Sequence, residues 1–150
     1  MTEENAVKKV IIFRLETEEY GVEVTHVQSI ERMQNFTRIP NAEKSIRGVI
    51  NLRGVIIPII DLRKRLSYEE VPYTEETRIL ILALEGNHAG LIVDAANDVM
   101  DVFESEIGAP PQALSKEEQM YLKNVIKKES RVFTLLNVHA VVEALETASV

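Results

Sequence analysis

The stretch Gly48-Val49-Ile50-Asn51-Leu52-Arg53-Gly54-Val55-Ile56-Ile57-Pro58-Ile59-Ile60-Asp61-Leu62 decides how this chain folds. Its two β-branched runs, residues 48–52 and 55–60, are stiff at χ1 and too short for a good helix, and the Arg53-Gly54 pair between them can turn. The stretch reads as two strands joined by a tight bend. Pro58 has no N–H to give to a ladder, which puts the second strand at an edge, at a bulge, or with that position facing away from its neighbour. Asp61 ends the strand and caps a short helix over residues 62–66 by accepting from its free N–H groups. Arg53, Arg63, Lys64 and Arg65 form a basic island in a chain of net charge −7.

Towards the N-terminus, residues 7–15 are apolar and β-branched, 16–19 are polar and 20–24 alternate, the pattern of a hairpin. Thr25 can cap a short helical turn through Val27 and Ile30, over residues 24–30. Residues 31–38 are mostly polar yet carry Met33 and Phe36, which either tuck under the sheet or form a partner-facing patch. Pro40 and Asn41 mark a turn before the central stretch.

Towards the C-terminus, the acidic residues 69–76 with Pro72 read as an exposed connector. Residues 77–84 and 88–93 form a second hairpin around Glu85-Gly86-Asn87, where Gly86 or Asn87 takes positive φ. Asp94, Asp98 and Asp101 invite a metal, but with no histidine partner or calcium-loop pattern they read as solvated or capping carboxylates. Pro110-Pro111 breaks the chain, and Ser115 with Glu118 makes a capping box for a brief helix over 115–119. Strands follow at 121–126 and 131–136, and Asn137 caps a final helix over 138–145.

The two halves look alike. Arg14-Leu15 through Tyr20-Gly21-Val22-Glu23-Val24-Thr25 parallels Ala83-Leu84 through Ala89-Gly90-Leu91-Ile92-Val93-Asp94, and Ile59-Ile60-Asp61-Leu62 parallels Leu135-Leu136-Asn137-Val138. A duplicated β unit whose copies cannot each bury a face alone packs as two small barrels with a shared core.

A chain of 150 residues suits one domain or two small subdomains, and can bury roughly 70% of its unfolded surface. It has no cysteine, so disulfides and thiolate ligands are excluded and a reducing compartment fits. Residues 1–6 form a polar, disordered tail rather than a signal peptide, residues 146–150 a C-terminal tail, and no apolar run reaches the ~18 residues of a membrane span. The expectation is a soluble cytoplasmic protein with no direct membrane insertion. Its net negative charge disfavours nucleic acid and favours a protein or a positively charged surface as partner. There is no Gly-Lys-Ser phosphate loop, dinucleotide-binding glycine spacing or Gly-x-Ser-x-Gly elbow. His26, His88 and His139 are scattered without zinc-site spacing. The carboxylate pairs Glu16 with Glu18 and Glu117 with Glu118 sit in turn or cap contexts. No catalytic set emerges, no cofactor is expected, and a binding function leads.

The run Gly48-Val49-Ile50-Asn51-Leu52-Arg53-Gly54, continued by Pro58, Asp61 and Leu62, closely resembles the CheW family of bacterial chemotaxis coupling proteins. Glu19-Tyr20-Gly21-Val22, Val27-Gln28, Thr37-Arg38-Ile39 and Gly90-Leu91-Ile92-Val93-Asp94 fit the same pattern, so the likeness covers roughly residues 7–145, the expected CheW-like domain. The resemblance implies a mostly β fold with short helices: two five-stranded SH3-like β-barrel subdomains around a shared hydrophobic core. It implies a non-enzymatic adaptor that bridges methyl-accepting chemotaxis receptors, at their cytoplasmic tips, to the regulatory domain of the histidine kinase CheA, and that is recruited to membrane receptor arrays. Carried over by motif, the receptor-facing groove includes Val27, Gly48, Arg53 and Gly54, with Val99 as a further member, and Ile30, Met33 and Phe36 fall where the family contacts the kinase. Ser29 departs from relatives that carry glutamate there. Arg53 on its Gly-flanked turn can present a planar fork to carboxylates or carbonyls of a helical partner, or form a local salt bridge to Asp61 or Glu23. A scaffold of another two-component pathway and a small-ligand-binding β-barrel are the alternatives; the latter needs buried polar groups converging on a cavity.

Overall fold

The computed structural model describes residues 8–110 and 116–148. Its strands are β1 Lys8–Leu15, β2 Glu18–Glu23, β3 Val27–Arg32, β4 Ile46–Leu52, β5 Val55–Asp61, β6 Arg78–Leu84, β7 Asn87–Val93, β8 Ala95–Val102, β9 Leu122–Lys128 and β10 Arg131–Leu136. The helices are α1 Leu62–Arg65, α2 Lys116–Tyr121 and α3 Val138–Ala148. The strands form two five-stranded sheets, ordered β8-β1-β2-β10-β9 and β3-β6-β7-β5-β4.

Matching β1–β5 to β6–β10 turns one order into the other, so the duplication read from sequence is real in three dimensions. The third strand of each half is exchanged: β3 pairs with β6, and β8 with β1. The second sheet is therefore continuous in sequence, while the first joins an N-terminal hairpin to the C-terminal third of the chain.

Alternation sorts the side chains into three cores. Val10 and Ile12 of β1 point inside the first sheet with Ile126, Phe133 and Leu135. Ile79 and Ile81 of β6 point inside the second with Ile50, Ile57, Ile59 and Ile92. The opposite faces of the same strands, Ile11, Phe13, Leu15, Leu80 and Leu82, meet between the sheets. Because β1 and β6 are buried on both faces, they read as unbroken apolar runs. Neither sheet closes as a continuous barrel ladder. Among the described residues an isolated bridge spans each gap instead, Thr37 to Val49 in the second sheet and Ile107 to Ile126 in the first.

Several expectations are corrected. Residues 24–30 are not one helical turn: a single 3₁₀ turn covers Val24–His26 and β3 follows. Val27 to Arg32 alternates half-buried and exposed, and pairing with β6 wins over local helix propensity. Of the three placements open to Pro58, the edge is excluded, since β5 lies between β7 and β4, and the position turned away from its neighbour is the one found. Val49, its partner across the sheet, gives both backbone groups to Thr37, and the ladder to β7 begins only at Ile59, so the proline meets no acceptor. In the β6–β7 turn Gly86 takes positive φ as expected, joined by Glu85, and Asn87 already belongs to the strand. Residues 95–102 form an edge strand that Asp98 and Asp101 hid. α3 runs on to Ala148, beyond residue 145. The polar tail at residues 1–6 and the proposed cap Ser115 lie outside the described residues.

Candidate interaction surfaces

The β4–β5 hairpin is a two-residue turn between Leu52 and Val55. Arg53 and Gly54 both have positive φ, 51° and 87°, the type I′ geometry whose twist matches the flanking strands. Asn51 Oδ1 accepts from the Gly54 N–H at 2.9 Å and fixes the bend. Glycine fits this backbone freely. An arginine in the left-handed region is strained on the order of 1 kcal/mol. The Arg53 side chain gains nothing locally to offset that: it is exposed, Asp61 accepts instead from the Arg63 N–H, and Glu23 pairs with Lys8 and Lys123. In place of a salt bridge to Asp61 or Glu23, the guanidinium has no ion pair or hydrogen bond among the described residues.

The pairing registers place Val27, at the start of β3, towards the same end of the second sheet as the Arg53-Gly54 tip. Val27 is half-buried and packs on the shared core. Gly48 is buried, and a Cβ there would lie 2.2 Å from the Thr37 carbonyl oxygen. Its lack of a side chain lets Thr37 lie on Val49 through hydrogen bonds of 2.9 and 2.8 Å. Any influence of Gly48 on a partner passes through that backbone. Val99 is 59% exposed and sits on β8, at an edge of the other sheet.

On the outer edge of the second sheet, Ile30 is 42% exposed. Met33 and Phe36 pack against the isoleucine core, and with Gln34, Asn35 and Tyr73 they also line an open concavity of about 440 Å³. Serine at both positions therefore costs stability as well as apolar surface.

The basic island does not exist in three dimensions. Arg63 turns inward, its Nε 2.8 Å from Asp94 Oδ1 and its Nη1 2.8 Å from Glu16 Oε1. Burial alone would raise the Asp94 carboxyl, but the Arg63 fork and the Glu16 N–H outweigh it and hold the group below the ordinary aspartate value. Arg65 is buried against Glu43 and the Tyr121 ring, and Lys64 reaches Glu70. The other aspartates are exposed, as solvated carboxylates should be, and each also has an ion partner, Asp98 in Arg131 and Asp101 in Lys9. Among the described residues no three histidine, aspartate or glutamate side chains converge as a metal site needs. His26 and His139 are not scattered but in edge contact, ring centroids 5.1 Å apart.

Sequence reasoning missed Arg47 and Tyr73. The guanidinium of Arg47 lies 5.9 Å from the Tyr73 ring centroid, which fastens the acidic connector to β4. An aromatic residue within an otherwise polar connector was the available signal.

A CheW-like domain model matches residues 9–146. The chain is 45% identical over 136 residues to chemotaxis protein CheW of Bacillus subtilis, covering 91% of this chain and 87% of that protein. It is 34% identical over 140 residues to chemotaxis protein CheW of Klebsiella aerogenes, covering 93% and 84%. Among solved structures it is similar to the scaffolding protein TtCheW from Thermoanaerobacter tengcongensis, with a TM-score of 0.80 and 33% identity over 87% of this chain and 88% of that one. Two strand-exchanged sheets with a family model running across both lead to one conclusion: the chain belongs to the CheW-like domain family.

Proposed function

We propose that this protein is a non-enzymatic chemotaxis adaptor that couples the cytoplasmic tips of methyl-accepting receptors to the regulatory domain of the histidine kinase CheA. The relatives from Bacillus subtilis and Klebsiella aerogenes are named chemotaxis proteins, and TtCheW, one of its structural neighbours, is described as a scaffolding protein. The working unit is the CheW-like domain over residues 7–145. No helix among the described residues is long and apolar enough to cross a membrane, and the proposed location is the cytoplasm, with recruitment to receptor arrays. Arg53, Gly54, Val27 and Val99 face the receptor, and Gly48 shapes the backbone behind them. Ile30, Met33 and Phe36 face the kinase.

The observation that carries this reading is Arg53. It occupies a left-handed turn that favours glycine or asparagine, is exposed, and has no ion pair or hydrogen bond among the described residues. Strain retained without a local benefit points to a contact outside the chain. Arg53→Ala should keep stability within about 0.5 kcal/mol. Receptor co-sedimentation should weaken by about 2 kcal/mol, as expected for a lost bidentate contact, while affinity for the isolated kinase domain stays the same. Normal receptor coupling would show Arg53 to be idle, and a collapse in melting temperature would make its role structural.

A further inference from the structure

We infer that the kinase-facing side is a two-part dock for an acidic, apolar-tipped element of the partner: an apolar side chain seats between Met33, Phe36 and Tyr73, and carboxylates beside it meet Arg38, Lys44 and Arg47. This rests on the assignment of Ile30, Met33 and Phe36 to the kinase, and adds the chemistry of what they receive. The apolar part is the concavity lined by Met33, Phe36 and Tyr73. Beside it lies a second concavity of about 220 Å³, lined by Arg38, Lys44, Arg47 and Lys64 among others. The two are physically joined. Arg47 of the basic part stands over the Tyr73 ring of the apolar part, and one short segment supplies Phe36 to one and Arg38 to the other.

Charge identifies the occupant. In a chain of net charge −7, this spot has more cations than anions. Glu43, the one carboxylate lining it, is turned onto the Ser45 N–H and hydroxyl and onto Arg65. Glu70 serves two cations at once, Arg47 at 2.7 Å and Lys64 at 3.5 Å. Arg38 and Lys44 have no ion partner among the described residues, and the buried Nε of Arg47 has no acceptor. Glu70 itself is half exposed, 51% by side chain. Its cations are more covered, Arg47 at 20% and Lys64 at 30%, but a carboxylate this open to water is screened and holds them weakly. An incoming carboxylate can therefore displace Glu70 at little cost, and additional ones find Arg38 and Lys44 already vacant. A neutral apolar partner would leave that surplus charge unanswered.

The test is titration of the isolated kinase regulatory domain against the full chain over a range of salt concentrations, with melting temperature recorded for each variant. Arg38→Glu with Lys44→Glu should weaken binding about tenfold at low salt and flatten the salt dependence, since charge pairing at an interface is screened. Tyr73→Ala should weaken binding severalfold with the salt slope unchanged. Glu70→Gln, which frees Arg47 and Lys64, should strengthen it. If the double charge reversal leaves affinity and slope unchanged while Ile30→Asp still weakens kinase binding, the kinase assignment stands and the acidic dock is wrong. If none of these variants, Ile30→Asp included, moves kinase affinity, the assignment of this face falls as well. Binding of inorganic phosphate or of anionic phosphatidylserine vesicles that requires Arg38 and Lys44, with kinase binding indifferent to them, would also overturn the inference.

Discussion

The two sheets repeat a backbone plan and invert its chemistry. The β4–β5 and β9–β10 turns occupy equivalent places, and the first turn residue is left-handed in both, Arg53 at φ 51° and Glu129 at φ 56°. The strands that leave these turns expose an apolar residue at the same step, Ile56 at 60% and Val132 at 57%. The exchanged strands do likewise with Ile30 and Val99. Of the four equivalent hairpin tips, three place glutamate in the left-handed position, at 16, 85 and 129, and one places arginine. Duplicated geometry sets where a side chain is shown, while the residue placed there sets what can bind.

The helix junctions differ as much. α1 follows β5 and meets the end of β7 through the Arg63 to Asp94 pair, whereas α3 follows β10 and meets the turn after β2 through His139 and His26. Removing the charged junction should have the largest effect. Asp94→Asn leaves the Arg63 guanidinium, only 9% exposed by side chain, without its main partner, and should destabilise by about 3 kcal/mol in denaturant unfolding. The two junctions should also part company with pH. Burial holds the His26 pKa below its ordinary value, with Glu23 opposing and His139 adding to the lowering. The unfolded chain then takes up that proton first, so the α3 side loses stability as pH falls below roughly 6.5. The folded Asp94 pKa is lowered as well, so its contribution is complete above roughly pH 4 and is lost only as pH falls further. Amide exchange that loosens both helices together on acidification would contradict this division.

The barrel gaps give the next test. In the second sheet Gly48 clears the way for the Thr37 backbone. At the matching place in the first sheet stands Asn124, whose side chain donates to the Gly108 carbonyl at 3.0 Å. Gly48→Ala drives a Cβ into a carbonyl oxygen and should cost about 2–3 kcal/mol. Asn124→Ala loses one partly exposed hydrogen bond and should cost about 1 kcal/mol. Equal losses would mean that the two gaps are closed by the same means. The smallest effect should come from the tip: Arg53→Asn creates an Asn-Gly turn and should stabilise by a few tenths of a kcal/mol up to about 1. Receptor binding should fall in the same variant. A melting temperature that drops would show that the arginine supports the turn after all.

Burial on both faces made strands easiest to read, while edge strands were read unevenly: β4 and β9 were found, and β3 and β8 were not. β1, β5, β6 and β7 were readable because burial on both sides leaves runs of isoleucine, leucine and valine. β3 and β8, the exchanged edge strands, were not, because each shows water or ion partners on one face and carries Ser29 and Glu31, or Asp98 and Asp101, inside the run. The Arg53 tip was legible from the Arg-Gly pair alone. The Arg63 to Asp94 clamp and the Arg47 to Tyr73 contact were not, since each joins residues that only the fold brings together and no local pattern marks.

The exchange of β3 and β8 also sets an order of assembly. The second sheet, Val27 to Val93, can complete its pairings as soon as that much chain has left the ribosome. The hairpin of β1 and β2 is made first yet waits longest, because its neighbours β8 and β10 are among the last strands synthesised. Until they arrive, Ile11 and Phe13 have only the half-built shared core to cover them, so the N-terminal hairpin is the part of the nascent chain most in need of protection from aggregation.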